Sequence, residues 1–384
     1  IQTLTITENC TIFARYYTGE VGYQTKSYNI TNVDNDPPAE FEIDAMNATE
    51  IGLVVNAETT DALSNIKYYD CYLNNVKYRA TKDTYKNYYT ITNVKPGTKY
   101  TIRVEAIDEA GNKIASTNTK EITTWTPTTN AWNEKKQANK PELAEGMIPI
   151  KYNGTKWVTT TEDDEDWYNY NESGSKYESK WANIMLSDGK YKSDTVEAGT
   201  EVEEADLGSM FVWIPRYAYK IENGYHSSTA GEISIEFLEG TSSHKTGVNI
   251  GSYPEYSYSE TASESKMNNY VVHPAFNYDE TQLTGLWIAK FIASRTDATD
   301  KSAGSSEQIK IVGNKYACSM YLGKIYTTCI GMNDEGNNYG LTSNDEEVDP
   351  HLMKNTEWGA MTYLTQSKYG LNKDNPTRTL DFAV

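Results

Sequence analysis

Cysteine is scarce in this chain of 384 residues, and basic side chains are outnumbered: 35 Lys and Arg face 54 Asp and Glu, for a formal charge of −19. Four cysteines, Cys10, Cys71, Cys318 and Cys329, cannot staple a chain this long into a disulfide scaffold. Cys318 and Cys329 are near enough in sequence either to bridge a hairpin or to remain free thiols. The four histidines, His226, His244, His273 and His351, are scattered. No Cys/His spacing matches a zinc site. No basic cluster interrupts the acidity, which excludes nucleic acid and anionic membrane surfaces as partners. Apolar runs are short everywhere, so no direct membrane insertion is expected from this segment. No signal peptide opens the chain, and Ile1 in place of Met reads as a fragment or a processed product.

What the chain has in quantity is tyrosine, 31 in all. Tyrosine suits polar recognition, because one ring offers apolar area and a hydrogen bond at low entropic cost. It is also a good strand former.

The most apolar run is Met210-Phe211-Val212-Trp213-Ile214-Pro215, whose β-branched and aromatic bias predicts a strand covered on both faces. Pro215 donates no ladder hydrogen bond and marks the point where that strand leaves the core. Beyond it the pattern alternates, with Tyr217, Tyr219 and Ile221 on one side and Arg216, Ala218 and Lys220 on the other.

In chain order, residues 1–36 carry short alternating runs separated by turn residues such as Thr18-Gly19-Glu20. They read as the C-terminal part of an immunoglobulin-like β-sandwich. The junction Asn32-Val33-Asp34-Asn35-Asp36-Pro37-Pro38 places oxygen side chains at Asn32, Asp34 and Asp36, which either bind a structural Ca2+ or form a solvated acidic linker. Residues 37–125 show strands at sandwich spacing around 51–55, 66–69, 89–91 and 100–106. Asp108 and Asn112 read as a hairpin turn or as cation ligands.

Residues 126–146 turn polar and read as a linker. From 147 onward Trp157, Trp167, Tyr168, Tyr170 and Trp181 form a recurring aromatic pattern, either a ligand-stacking face or core. Asn153-Gly154 and Asp188-Gly189 predict type I′ hairpin turns. The run Glu162-Asp163-Asp164-Glu165-Asp166 reads as a loop kept in water by its own repulsion, as calcium ligands or as paired carboxylates. Residues 222–269 form a long polar excursion interrupted by a strand at 232–237. A further strand is expected at 285–292. A helix is expected at 352–364, with Leu352, Trp358, Met361 and Leu364 on one face and Gly370 as its stop.

Two resemblances follow from these residues. Val94-Lys95-Pro96-Gly97-Thr98-Lys99-Tyr100, leading to Val104, Ala106, Asp108 and Gly111-Asn112, resembles the corner and following turn of a fibronectin type III domain. It implies that the Tyr100 hydroxyl bonds back to the upstream backbone. The run 210–215, then His273-Pro274-Ala275-Phe276 with Leu286-Trp287-Ile288-Ala289-Lys290-Phe291, and Trp358-Gly359-Ala360 through Tyr363-Leu364 resemble the sulfatase-modifying-factor version of the C-type lectin fold. Residues 147–384 would then be such a domain, cut short at its C-terminal end. The family's later segments and metal ligands have no counterpart here, so no catalytic residue carries over and no enzyme is expected.

The fold class expected is therefore mainly β and multidomain: an Ig-like remnant, a fibronectin type III sandwich and an α+β C-type-lectin-like domain. Sandwich spacers ahead of such a head imply a non-catalytic extracellular recognition or adhesion protein of a bacterial surface or virion, binding a glycan or a cell-surface protein. The alternatives are a self-associating structural subunit of a fibre or virion, and a metal-dependent oxidase of the parent family.

Overall fold

The computed structural model describes residues 6, 8–31, 33–50, 52–79, 81–82, 88–92, 94–170, 180–225, 231–251, 254–259, 264–278, 281–344 and 347–370. The chain divides into two compact units, Ile1–Thr126 and Pro127–Val384.

The first unit opens with a hairpin of β1 (Cys10–Thr18) and β2 (Gly22–Ile30), antiparallel from Cys10 opposite Ile30 to Thr18 opposite Gly22. The turn falls where Thr18-Gly19-Glu20 placed it. Leu4 and Thr5, read as part of an earlier strand, lie outside the described residues. The hairpin's Phe13, Tyr17 and Tyr23 are 65–68% exposed.

A sandwich follows. One sheet orders β3 (Ile43–Ala48), β4 (Gly52–Ala57), β8 (Tyr88–Thr92) and β7 (Thr81–Lys82). The other orders β10 (Lys113–Ala115), β9 (Lys99–Asp108), β5 (Ile66–Leu73) and β6 (Val76–Arg79), with β11 (Lys120–Thr123) also on β9. In β9 the period of two is visible in the packing: Tyr100, Ile102, Val104 and Ala106 are buried together with Leu53, Val55, Cys71 and Ile91. The Tyr100 hydroxyl accepts the Lys95 backbone N–H at 2.9 Å, the corner bond expected from the sequence. Thr124 closes the same corner by donating to Lys95 O at 2.6 Å.

The second unit is built on a six-stranded sheet, ordered β15 (Glu201–Val202), β13 (Trp157–Thr159), β12 (Met147–Tyr152), β14 (Asn183–Leu186), β16 (Met210–Pro215) and β20 (Gly285–Ala289). Strand β16 has the expected bounds, and Val212, Trp213 and Ile214 are buried. Trp213 stands opposite Trp287 with ring centroids 5.2 Å apart. That approach requires Gly285 beside it, since a Cβ there would meet Trp213 Cζ2 at 2.3 Å and Ile214 O at 2.7 Å.

At Pro215 the chain leaves this sheet. It continues as β17 (Tyr217–Asn223), paired with β18 (Glu232–Phe237) and β19 (Val271–Val272) in a second sheet. Between the two sheets sits Arg216, fully buried. Its guanidinium donates to Ser242 O (2.9 Å), Phe276 O (3.0 Å), Leu283 O (3.2 Å), Gln282 Oε1 (2.9 Å) and Asn277 Oδ1 (3.4 Å). The alternation after Pro215 is therefore not an inside and an outside: Arg216 and Ala218 are as buried as Tyr217.

Two helices complete the unit, α1 (Leu322–Ile330) and α2 (Asn355–Gln366). Helix α2 begins three residues later than the periodicity predicts, because the Lys354 backbone N–H donates to Glu357 Oε2 at 2.7 Å and fixes the cap there. Its buried residues are Ala360 and Leu364, while Trp358, expected on the inner face, is 48% exposed. Its C-cap is Ser367, ahead of the Gly370 expected as the stop. Cys329 lies on α1 rather than in a hairpin, and both Cys318 and Cys329 are free thiols.

Residues 126–146, expected as a linker, reach into this unit's core at Ala138 and Asn139 while most of the stretch stays at the surface. Ala138 and Asn139 are fully buried, and Asn139 Nδ2 donates to Gly240 O and Thr284 O, each at 2.8 Å. Neither expected I′ turn has its left-handed pair of residues. Asn153 instead uses its side-chain oxygen to accept the Thr155 and Lys156 N–H groups at 2.9 Å. Asp188 is drawn inward, accepting from Ser209 N and Oγ, both at 2.6 Å.

Two substitutions test this packing. Arg216→Ala leaves several buried carbonyl oxygens without a donor and should cost the second unit about 3 kcal/mol or more. In calorimetry that unit's transition is expected to fall by roughly 6–12 °C, while the first unit's is unchanged. Tyr100→Phe removes one buried hydrogen bond and should cost the first unit about 1 kcal/mol, read as a lower urea midpoint at constant slope.

Candidate functional site

The five aromatics singled out in the sequence do not assemble into one exposed face. Trp167, Tyr168 and Tyr170 are 2–3% exposed, so their rings are covered by protein and offer no surface to a ligand. Their polar atoms are consumed internally. Trp167 Nε1 donates to Asn183 O (2.9 Å), the Tyr170 hydroxyl donates to Trp213 O (3.0 Å), and the Tyr168 hydroxyl accepts from Asn133 Nδ2 (2.9 Å). Trp181 is half-buried, its Nε1 donating to Tyr369 O at 3.0 Å. Trp157 is also half-buried, with Lys290 Nζ 5.4 Å from its ring centroid. Burial draws the Lys290 ammonium down to about 8, and Nζ donates to Asn183 Oδ1 at 2.7 Å.

A different aromatic group does reach the surface, on the polar excursion 222–269. Tyr225 and Tyr256 stack with centroids 4.3 Å apart and an interplanar angle of 17°. Tyr258 lies 5.8 Å from Tyr256 and 6.3 Å from Tyr225, and is 67% exposed. Tyr256–Ser257 pairs with Lys266–Met267, so a short ladder holds the rings. Hydroxyl and carboxylate groups border them: Ser257 Oγ donates to Asn268 Oδ1 at 2.8 Å, and Ser259 Oγ to Glu264 Oε2 at 3.0 Å. Sequence periodicity cannot find such a group, because Tyr225 lies some thirty residues from Tyr256 and Tyr258. The density of tyrosine was the available signal.

In the first unit the structure gathers carboxylates. Asp34, Asp61 and Asp108 each bring an oxygen to within 4.8 Å of the others. Of the residues expected at the junction, Asn32 lies outside the described residues and Asp36 is exposed, its N–H donating to Asp34 Oδ1 at 3.2 Å. The other two members come from elsewhere in the chain. Asp108 is fully buried and ends β9; its Oδ1 accepts Gly111 N (2.6 Å) and Asn112 N (2.8 Å), which forms the turn into β10. Asp61 Oδ1 accepts Leu63 N (2.8 Å) and Ser64 N (2.7 Å), and those donors hold its carboxyl below the usual range. Asn112 Nδ2 reaches Asp108 Oδ2 at 2.9 Å and Asp34 O at 3.3 Å.

The acidic run 162–166 is an exposed turn segment, the loop in water that the sequence suggested, in which Asp164 alone is partly buried. Burial pushes Asp164 up, but Lys151 Nζ at 2.6 Å and the Thr160 hydroxyl outweigh it and hold the carboxyl at about 2. Glu165 pairs with Lys135 at 2.7 Å. His273 is 4% exposed, ringed by Tyr217, Tyr219, Phe276 and Tyr363 at centroid distances of 5.3–6.2 Å. Burial alone lowers it to about 3.

Known proteins enter at this point. The family model of the fibronectin type III domain matches residues 36–122. Those residues are a fibronectin type III domain. The domain contributes Asp61 and Asp108 to the carboxylate group, and Asp34 stands just ahead of it. No curated protein matches the chain. Among solved structures, the Family 28 exopolygalacturonase of Yersinia enterocolitica is 16% identical over 24% of this chain and 21% of that one, with a TM-score of 0.20. Chitinase ChiA74 from Bacillus thuringiensis is 14% identical over 66% of this chain and 26% of that one, with a TM-score of 0.21. The structure of FN3tt is 27% identical over 23% of this chain and 91% of that one, with a TM-score of 0.17. The chain thus spans about a fifth and a quarter of the length of the first two. Among the described residues no helix is long and apolar enough to cross a membrane.

The His273 burial sets a pH dependence with a definite sign. Its folded-state value of about 3 lies below the ordinary 6.5. The unfolded chain therefore binds the extra proton as pH falls from about 6.5 towards 3, and stability falls with it. His273→Phe should remove on the order of 1–2 kcal/mol of the loss seen between about pH 6.5 and 4.5. Urea titrations of both proteins across that window measure it.

Proposed function

We propose that this chain is a non-catalytic extracellular recognition or adhesion protein of a bacterial surface or phage particle, in which β-sandwich spacers precede a lectin-like head. The observation that carries the reading is the complete fibronectin type III sandwich at 36–122, closed by its Tyr100 corner, placed ahead of a unit that offers grouped tyrosines on a polar surface. Such modules serve as spacers in many contexts, so function belongs to the surface of the second unit. The lectin-like reading gains support from how the segments behind the resemblance pack. Strands β16 and β20 pair in register, and the Tyr217 hydroxyl donates to Ala360 O of α2 at 2.7 Å.

The ligand face in this reading is Tyr258 with Tyr256 and Tyr225. An exposed ring beside hydroxyl and amide groups suits the mixed apolar and hydrogen-bonding faces of a neutral sugar. Wild-type protein is expected to be retained on some member of a glycan array or on whole cells. Tyr258→Ala, with unchanged circular dichroism, should lose that retention by about tenfold or more, on the scale of about 1.4 kcal/mol per decade. Failure of the wild type to bind any glycan or cell surface would count decisively against adhesion.

One observation favours a second reading, a self-associating fibre subunit. The β1–β2 hairpin exposes Phe13, Tyr17 and Tyr23, and among the described residues no third strand pairs with it, which leaves edges that a partner strand can join. Sedimentation of the full chain decides: concentration-dependent association supports this reading, and a clean monomer at high concentration removes it.

A further inference from the structure

We propose that Asp34, Asp61 and Asp108 form a calcium site that fastens the segment entering the fibronectin type III domain to the loops at that domain's end. Three segments remote in sequence converge there: the entering strand of chain at Asp34, the loop after β4 at Asp61, and the β9–β10 turn at Asp108.

The second, independent observation is an orphaned atom. Asp34 Oδ2 is sealed from solvent and has no hydrogen-bond partner, a costly state for a carboxylate oxygen unless a cation meets it. Among the described residues no Lys, Arg or His nitrogen forms an ion pair with any of the three carboxylates. What lies among the oxygens is the Asn112 amide, with Nδ2 2.9 Å from Asp108 Oδ2, 3.3 Å from Asp34 O and 3.4 Å from Asp34 Oδ1. Rotating that amide presents Oδ1 instead, so one residue either hydrogen-bonds the carboxylates or adds a neutral ligand.

The chemistry selects the ion. All donors are hard oxygens, from carboxylates and an amide, with the Asp34 carbonyl adjacent. Oxygens within 4.8 Å of one another, carried on turns and a loop, suit the flexible coordination of Ca2+, whereas Mg2+ demands near-ideal octahedral geometry and usually keeps several waters. Asp36, expected from sequence to share the ion with Asp34, is not a member. Asp36 is exposed, and its backbone N–H donates to Asp34 Oδ1 at 3.2 Å.

Calorimetric titration of the full chain with CaCl2 tests the site, alongside Asp34→Asn, Asp61→Asn and, as a neighbour outside the cluster, Asp36→Asn. Wild type and Asp36→Asn are expected to bind one Ca2+ with a Kd of about 0.1–1 mM, the range of extracellular modules. The first unit's melting should rise in CaCl2 relative to EDTA, and MgCl2 at the same concentration should do markedly less. Asp34→Asn and Asp61→Asn should each weaken binding at least about tenfold, while giving the wild-type circular dichroism spectrum in EDTA. If one of these variants misfolds, the other carries the comparison. The proposal is overturned if wild type shows neither heat nor a melting shift in about 10 mM CaCl2, or if both cluster variants titrate as wild type. Loss of binding in Asp36→Asn as strong as in Asp34→Asn would place the ion on the entering segment instead and overturn this ligand set.

Discussion

The second unit depends on how one buried cation is held. At the junction between two sheets the chain places Arg216 where water cannot reach it, and surrounds its guanidinium with oxygens from residues 242, 276–277 and 282–283. The residue's backbone is held as well, since its N–H donates to Thr284 O at 2.8 Å and its carbonyl accepts Leu238 N–H at 3.1 Å. Removing a guanidinium from water is expensive, and the expense is offset only when its donors find acceptors in good geometry. Those acceptors are three main-chain carbonyls and two side-chain amide oxygens, from Ser242 and from the short paired segments around Asn277 and Gln282. One side chain therefore ties the segment at Ser242 to the ladder of Asn277 and Gln282 at the point where the chain passes from one sheet to the next.

Much of the first unit was legible, because its signals are local. Alternation over two-residue periods gave the strands, and Pro96-Gly97 followed by Tyr100 gave the corner. The apolar run 210–215 gave its strand for the same reason. What sequence could not supply was convergence. Asp61 and Asp108 join Asp34 only through the sandwich's topology, and Asn32-x-Asp34-x-Asp36 looked more like a binding motif than the actual trio does. The polar stretch 126–146 read as a linker because composition cannot tell a solvated Asn from Asn139, which is buried and bonded to Gly240 and Thr284. Trp167, Tyr168 and Tyr170 carried an equal ambiguity. An aromatic run looks alike in a binding face and in a core, and only burial separates the two.

The chain's acidity is handled in two ways. In the second unit two carboxylates of the exposed run at 162–166 pair with lysines, Asp164 with Lys151 and Glu165 with Lys135. At the entrance to the fibronectin type III domain the carboxylates meet one another instead, with Asn112 as intermediary. This contrast, rather than the overall charge, marks that entrance as a place where an external cation has work to do. The exposed tyrosines of the second unit are likewise distinguished by what surrounds them. Trp167, Tyr168 and Tyr170 are locked into the core by hydrogen bonds of their own polar atoms, whereas Tyr258 stands in solvent just past a two-residue ladder.

A rigid sheet beside a softer, tyrosine-bearing surface segment is the physical core of this account. Native-state hydrogen exchange measures it directly, because amide protection reports local opening from near zero up to the global free energy. The backbone amides of Phe211, Val212, Trp213 and Ile288 should be among the slowest to exchange in the second unit, and those of Tyr256 and Ser257 among the fastest of its paired segments. Equal protection in the two sets, or faster exchange in Phe211–Trp213 than in Tyr256–Ser257, would contradict the account.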